Sequence, residues 1–244
     1  MIIYFSATGN CKYVAERIAS AYGEKAISIT ECIAQKLYDF TDEQIGIISP
    51  TYDFGLPSIV REFLSSANLK ANYLYFVATY GTTPGAIAHF AKKYSGVNFN
   101  AYYSVKMPDT WTVKYDLSTA EKVSSFTKTT ETDIMFVIDK IKCKTQGKYM
   151  KNTVPVPIAK LVYPFYEKVR QTKHFNVDDT CIGCGICARK CPIEAIEIKD
   201  KKPVWVKDKC VMCLGCLHRC PKFSIQYDNK TREHGQYTNP NVKL

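Results

Sequence analysis

The sequence of 244 residues carries 33 Lys and Arg against 23 Asp and Glu, a formal charge of +10, and 46% of its residues are hydrophobic. That length suits one ordinary domain and a second, smaller one. No run of eighteen apolar residues is present, which excludes a helical membrane span, and Met1-Ile-Ile-Tyr-Phe5 lacks the basic leader of a secretory signal, so a cytoplasmic protein is expected.

In chain order, Met1 to Phe5 is an apolar run that predicts a strand, and Ser6-Ala-Thr-Gly-Asn10 a polar loop. Cys11 to Tyr22 then repeats Val14, Ala15, Ile18, Ala19 and Tyr22 at helical spacing. Strand, short polar loop and helix is an arrangement that binds phosphate. Backbone N–H groups at the helix N-terminus and the hydroxyls of Ser6 and Thr8 can hold the anion without a basic side chain. The competing reading is an ordinary helix cap. The loop resembles the phosphate loop of flavodoxins, S/T-x-T-G-N/T-T/S, which bind FMN. The resemblance implies that Ser6, Thr8, Gly9 and Asn10 contact the FMN phosphate. Cys11 stands where that pattern has a hydroxyl residue, and a thiol is a weak donor, so its contact reduces to backbone.

Glu24 to Ile29 and Ile45 to Ser49 predict the second and third strands. The third ends in Pro50-Thr-Tyr-Asp-Phe-Gly-Leu-Pro57, after which Ile59, Val60, Phe63 and Leu64 share one helix face. Tyr73 to Ala78 is a continuous apolar run suited to a central parallel strand. It leads into Thr79-Tyr-Gly-Thr-Thr-Pro-Gly85, with Pro84 placed to open a helix. Asn98 to Lys106 predicts the last strand, with Val97, Phe99, Ala101 and Tyr103 alternating against polar neighbours. Leu117 to Lys144 reads as one long closing helix with Glu121, Lys122 and Lys128 on its wet side.

Alternating strands and helices imply an α/β fold, a doubly wound, flavodoxin-like parallel sheet. Its ligand lies beyond the carboxyl ends of the strands, where the strand order reverses, so the three post-strand loops are expected to meet there. The expected cofactor-binding residues from the second and third loops are Pro50, Thr51, Tyr52, Phe54, Gly55, Thr79, Tyr80, Gly81, Thr82 and Gly85. Tyr52, Phe54 and Tyr80 offer faces for an isoalloxazine ring, while Gly55, Gly81 and Gly85 let backbone approach its polar edge. The flavodoxin resemblance further implies that a peptide near Gly55 flips as the flavin is reduced. Trp111, in the segment Met107 to Tyr115, either covers the flavin edge or packs in the interior.

Between Thr145 and Lys173, Gly147, Pro155, Pro157 and Pro164 interrupt helix, yet Ile158, Leu161, Val162, Tyr163 and Phe165 are too apolar for a free linker. A packed connector over residues 148–174 is expected, with His174 at its end on the surface.

Eight of the eleven cysteines follow, as Cys181-Ile-Gly-Cys-Gly-Ile-Cys-Ala-Arg-Lys-Cys-Pro192 and Cys210-Val-Met-Cys-Leu-Gly-Cys-Leu-His-Arg-Cys-Pro221. Each copy reads C-x2-C-x2-C-x3-C-P, and the segment resembles the bacterial ferredoxins that hold two [4Fe–4S] clusters. Three thiolates two residues apart converge on three irons of one cubane, and the fourth serves the other cluster. One cluster is therefore assigned to Cys181, Cys184, Cys187 and Cys220, the second to Cys210, Cys213, Cys216 and Cys191. Structural zinc gives no reason for the third cysteine or the proline, and a disulfide framework does not suit a cytosolic chain. Ala195 to Ile198 and Phe223 to Tyr227 read as matching short strands, and His218, between ligands, as having a local charge or hydrogen-bond role rather than binding metal. Asp228 to Leu244 reads as a polar tail, with Tyr237 and Pro240 leaving open that it folds back. Cys11, Cys32 and Cys143 are left over, and none is expected to be catalytic.

The expected organisation is a flavodoxin-like FMN domain (1–147), the connector, a two-cluster ferredoxin-like domain (175–228) and the tail (229–244). Two clusters at about −2 each and a flavin phosphate at about −2 bring the charge to roughly +4, which removes most support for a nucleic-acid partner and leaves an acidic redox protein or a small redox acceptor. The function expected is electron transfer between two [4Fe–4S] clusters and FMN within one chain. The alternatives are an FMN-dependent reductase of a small organic substrate and a redox sensor. No G-x-G-x-x-G fingerprint supports a bound dinucleotide.

Overall fold

The computed structural model describes residues 1–229 and 231–244; Lys230, within the segment read as a tail, lies outside them. The first half alternates as expected through β1 (Ile2–Tyr4), α1 (Asn10–Tyr22), β2 (Ala26–Ser28), α2 (Ile29–Ala34), β3 (Asp39–Pro50), α3 (Ser58–Ser66), β4 (Asn68–Tyr80), α4 (Ile87–Ser95) and β5 (Ala101–Lys106). It closes with α5 (Ala120–Thr127), α6 (Thr130–Lys142) and a two-residue edge strand, β6 (Gly147–Lys148). The strands form one parallel sheet in the order β2-β1-β3-β4-β5-β6. The order reverses between β1 and β3, so the crevice beyond their carboxyl ends is the switch point.

Burial explains the layering. From Tyr73 to Tyr80 every residue of β4 is buried, as a strand covered on both faces requires. On one face α1 lays Val14, Ala15 and Ile18 beside Ile134, Val137 and Ile141 of α6. On the other, α3 and α4 contribute Ile59, Val60, Phe63, Ile87 and Phe90. Within the first of these cores Gly46 of β3 sits in register with Tyr75 of β4. A Cβ at Gly46 would lie 2.3 Å from Cζ of the Tyr75 ring. Gly46→Ala is therefore expected to destabilise the protein by about 1–3 kcal/mol through overpacking, read as a lower denaturant midpoint at unchanged slope.

Three expectations need correction. β3 and β4 begin well before their apolar runs, because Asp39 to Asp42 pairs in register with Asn68 to Ala71, with Phe40 and Leu69 buried between polar neighbours. β2 is shorter than 24–29, because Ser28, its last residue, also caps α2, accepting from the Thr30 N–H. The single helix expected over 117–144 is two. The Thr130 hydroxyl donates to the Lys106 carbonyl at 2.7 Å and Asp133 accepts from the Lys106 N–H at 3.2 Å, which pins the start of α6 to the end of β5. Leu117 is held elsewhere, its N–H donating to the His234 carbonyl, so the chain turns between the two anchors.

α7 (Val156–Val162) and α8 (Pro164–Val169) then cross the second face, burying Ala159, Tyr163 and Tyr166. The remainder is small: β7 (Phe175–Val177), α9 (Ile186–Arg189), β8 (Ile196–Lys199), β9 (Lys202–Trp205), α10 (Gly215–His218), β10 (Ile225–Tyr227) and α11 (Thr231–His234). The strands expected after each proline form as β8 and β10, and each takes an antiparallel partner, β9 and β7. Val211, Met212, Leu214 and Leu217 share one buried cluster with Leu56 and Phe90, so the cysteine-rich half packs directly on the sheet domain. Among the described residues no helix is long and apolar enough to cross a membrane.

Candidate functional site

The loops after β1, β3, β4 and β5 surround a cavity of about 400 Å³. Of the expected residues, Ser6, Thr8, Asn10, Cys11, Pro50, Thr51, Tyr52, Phe54, Thr79, Tyr80, Gly81 and Thr82 line it. Gly9, Gly55 and Gly85 stand behind the wall. Gly55 is glycine because a Cβ would lie 2.6 Å from the Tyr163 ring, and Gly85 because it would lie 2.3 Å from Cα of Phe54. The cavity also takes in residues that sequence reasoning did not assign: Asp53, Asp109, Val162 and, from the cysteine-rich half, Met212, Cys213 and Leu214. Asp53 and Asp109 lie inside segments already singled out, and Cys213 inside the cysteine motif; Val162, Met212 and Leu214 have no local signal for this cavity. Trp111 is half-buried and lines the cavity.

At the phosphate-loop end, Ser6 Oγ accepts from the Gly9 N–H at 3.1 Å, and Gly9 has φ 99°. The Cys11 thiol meets the Thr79 hydroxyl at 3.0 Å, and burial pushes it up to about 12, so it stays a neutral thiol. The Asn10 side chain is held by hydrogen bonds at both ends of its amide. Its Nδ2 donates to the Pro108 carbonyl, and its Oδ1 accepts from Tyr237 Oη and Asn239 Nδ2.

At the ring end, Tyr52 and Gly55 exchange backbone hydrogen bonds of 2.9 and 2.8 Å around Asp53 (φ 44°) and Phe54 (φ 69°). This is a two-residue hairpin turn of the primed type, built without glycine, at roughly 1–2 kcal/mol per left-handed residue. Gly55 itself is not left-handed; the left-handed residues of the turn are Asp53 and Phe54. Thr51 Oγ1 and Asp53 Oδ2 are buried with no hydrogen-bond partner among the described residues. Burial pushes both the Asp53 and the Asp109 carboxyls above the usual range. Aromatic walls and orphaned polar atoms at one end, a phosphate-type loop at the other, fit a flavin mononucleotide.

The cysteines of the C-terminal half line two cavities. Cys181, Cys184, Cys187 and Cys220 line one small cavity. Cys191, Cys210, Cys213 and Cys216 line another of about 290 Å³. Among the described residues no three His, Cys, Asp or Glu side chains meet closely enough to hold a single ion, so the sulfurs surround a space rather than a point. Backbone N–H groups of Ala195, Met212 and Ser224 donate to Cys191, Cys210 and Cys220 at 3.2, 3.2 and 3.3 Å. Burial pushes the thiols of Cys187, Cys210, Cys213 and Cys216 up. Thiolates there need positive charge, which bound iron would supply. Arg219, its Nε buried without a partner among the described residues, adds a guanidinium near Cys213 and Cys216.

The two ligand loops differ in one respect. Gly183 and Gly185 have φ 67° and 73°, and the equivalent Met212 and Leu214 keep the left-handed turn at 57° and 52°. Side chains are retained there because they wall the flavin-type cavity. His218 is buried and neutral, its pKa lowered to about 4 by desolvation. It bonds through Nε2 to the Thr110 carbonyl at 2.8 Å. His174 is on the surface beside Asp228. Cys32 is buried and Cys143 exposed.

The family model for the Flavodoxin domain matches residues 1–135, and that for the 4Fe-4S dicluster domain matches 173–221. Ferredoxin-1 of Rhodospirillum rubrum is 50% identical over 26 residues, 11% of this chain and 47% of that protein, so the chain spans about half the length of the curated relative. A flavodoxin from the domain Archaea superposes with a TM-score of 0.32 at 17% identity, over 58% of this chain and 96% of that one. Rubredoxin oxygen:oxidoreductase from Desulfovibrio gigas does so with 0.36 at 16%, over 59% and 36%. With more than half its length matched, this chain belongs to the flavodoxin-domain family and carries a 4Fe-4S dicluster domain behind the flavodoxin domain.

Proposed function

We propose that the chain holds two [4Fe–4S] clusters and one FMN in a line and passes electrons along it between an external donor and acceptor. When bound, the clusters exchange single electrons and FMN holds one or two. The observation that carries this reading is Cys213, which lines both the second cysteine cavity and the flavin-type cavity. Met212 and Leu214 beside it exclude water from the gap. The first quartet lies outermost: Cys184 is exposed and Ile182 is 60% exposed. A redox partner meets the chain there, and the mouth near Thr82 and Tyr115 serves the other partner, in either direction of flow.

In this reading Ser6, Thr8 and the backbone N–H groups of 7–11 hold the phosphate, and Tyr52, Phe54, Tyr80 and Trp111 enclose the ring. Residues 1–147 form the FMN domain, 148–174 the connector and 175–228 the cluster domain. A second reading, reduction of a small organic substrate, is favoured by Asp53 and Asp109, which place two carboxyl groups at the cavity. Assay of iron, sulfide and flavin on one anaerobic sample tests the proposal. It expects about eight, eight and one per chain; about four iron, or no FMN, would refute it.

A further inference from the structure

The last ten residues fold back onto the phosphate loop. Gln236 Nε2 donates to the carbonyls of Leu217 and Cys220 at 2.6 and 2.8 Å, and the Tyr237 N–H donates to His218 Nδ1 at 3.1 Å, tying this strap to α10. From there it reaches the loop. Tyr237 Oη and Asn239 Nδ2 donate to Asn10 Oδ1 at 2.9 and 3.2 Å, and the Asn239 N–H donates to the Thr8 carbonyl at 2.8 Å. Tyr237 and Asn239 are only 8% and 5% exposed. A Cβ on Gly9 would lie 2.9 Å from Asn239 Cβ and from Val242 Cγ2, so the loop's glycine is also the seat of the strap.

Neither Tyr237 nor Asn239 lines the flavin-type cavity. They act from the far side. In a trans peptide the C=O and N–H point opposite ways. Holding the Thr8 carbonyl outward therefore turns the Gly9 N–H inward, where it meets Ser6 Oγ at 3.1 Å. Holding Asn10 Oδ1 between Tyr237 and Asn239 likewise fixes the first residue of α1, whose start presents backbone donors. A loop of free N–H groups with no basic side chain binds an anion only if those groups are already convergent, since ordering them on binding costs affinity.

We propose that Tyr237 and Asn239 are positioning residues of the flavin-phosphate site, holding the 6–10 loop in its anion-binding shape from outside. This rests on the reading of that loop as the FMN phosphate site. It makes the cluster-bearing half a structural part of flavin binding, because the strap is fastened to α10 between two cluster cysteines.

The test compares FMN with riboflavin, which lacks the phosphate, on the full chain stripped of flavin and retaining its iron. Tyr237→Phe removes one hydroxyl and keeps the ring; Asn239→Ala removes the second donor. Affinities are measured by flavin fluorescence quenching, and iron content confirms that each variant is folded. The double variant is expected to bind FMN at least about tenfold more weakly while riboflavin affinity is unchanged, two lost hydrogen bonds to a loop group corresponding to roughly that factor. If wild type prefers FMN and the variants keep that preference, the positioning role is wrong and the phosphate site stands. A parallel loss of both ligands also overturns it, since the strap would then support the whole cavity. If wild type does not distinguish FMN from riboflavin, the loop is not a phosphate site and both readings fall.

Discussion

Replacing Cys213 with alanine is expected to remove one cluster of the two and disconnect the other from the flavin. Iron and sulfide should fall from about eight to about four per chain, because a cubane held by three of its four thiolates is readily lost. Cys213 belongs to the quartet between the outer cysteines and the flavin-type cavity, and its side chain lines both spaces. FMN content should hold, since Ser6, Thr8, Tyr52 and Tyr80 are untouched. Reduced at its outer cluster, the variant should then leave its flavin oxidised on the time scale on which wild type reduces it. Cys184→Ala, in the exposed quartet, should also halve the iron yet leave the inner cluster in contact with the flavin. Equal behaviour of the two variants would contradict the proposed order of cofactors.

Tyr166→Phe carries the largest expected effect on stability. This connector residue is fully buried, and its hydroxyl donates to the Val211 carbonyl at 2.6 Å and accepts from the Ser58 N–H at 3.1 Å. Ser58 opens α3 of the sheet domain and Val211 lies between two cluster cysteines, so one oxygen joins the two halves. Burial raises the phenol's pKa, which keeps the donor protonated throughout the working range. Removing the oxygen strands a buried N–H and a buried C=O, together costing about 2–4 kcal/mol. For a chain of this size that is a fall in Tm of roughly 5–15 °C, read by calorimetry. A shift under about 2 °C would mean that the halves are held by apolar contact alone.

Much of this was legible in the sequence because local patterns carried it. The Ser6-Ala-Thr-Gly-Asn10 loop, the apolar run of β4 and the cysteine spacing each announce a structure whose cause is near in the chain. What was not legible is long-range. Nothing near Met212 and Leu214 indicates why two left-handed positions lack glycine; the reason is the cavity wall of the other half. Gly55 reads as a flexible hinge, yet its reason is the ring of Tyr163, more than a hundred residues on. The polar residues from Gln236 to Asn239 resemble a frayed tail because their partners, Leu217, His218, Thr8 and Asn10, lie in two distant segments.

The most direct test of the central claim is an anaerobic reductive titration of the intact protein, with visible absorbance and EPR recorded on the same sample. The account predicts two cluster signals that broaden each other magnetically, and flavin bleaching that proceeds with electrons supplied through the clusters. A single isolated cluster signal, or clusters that are fully reduced beside a flavin that stays oxidised, would contradict it.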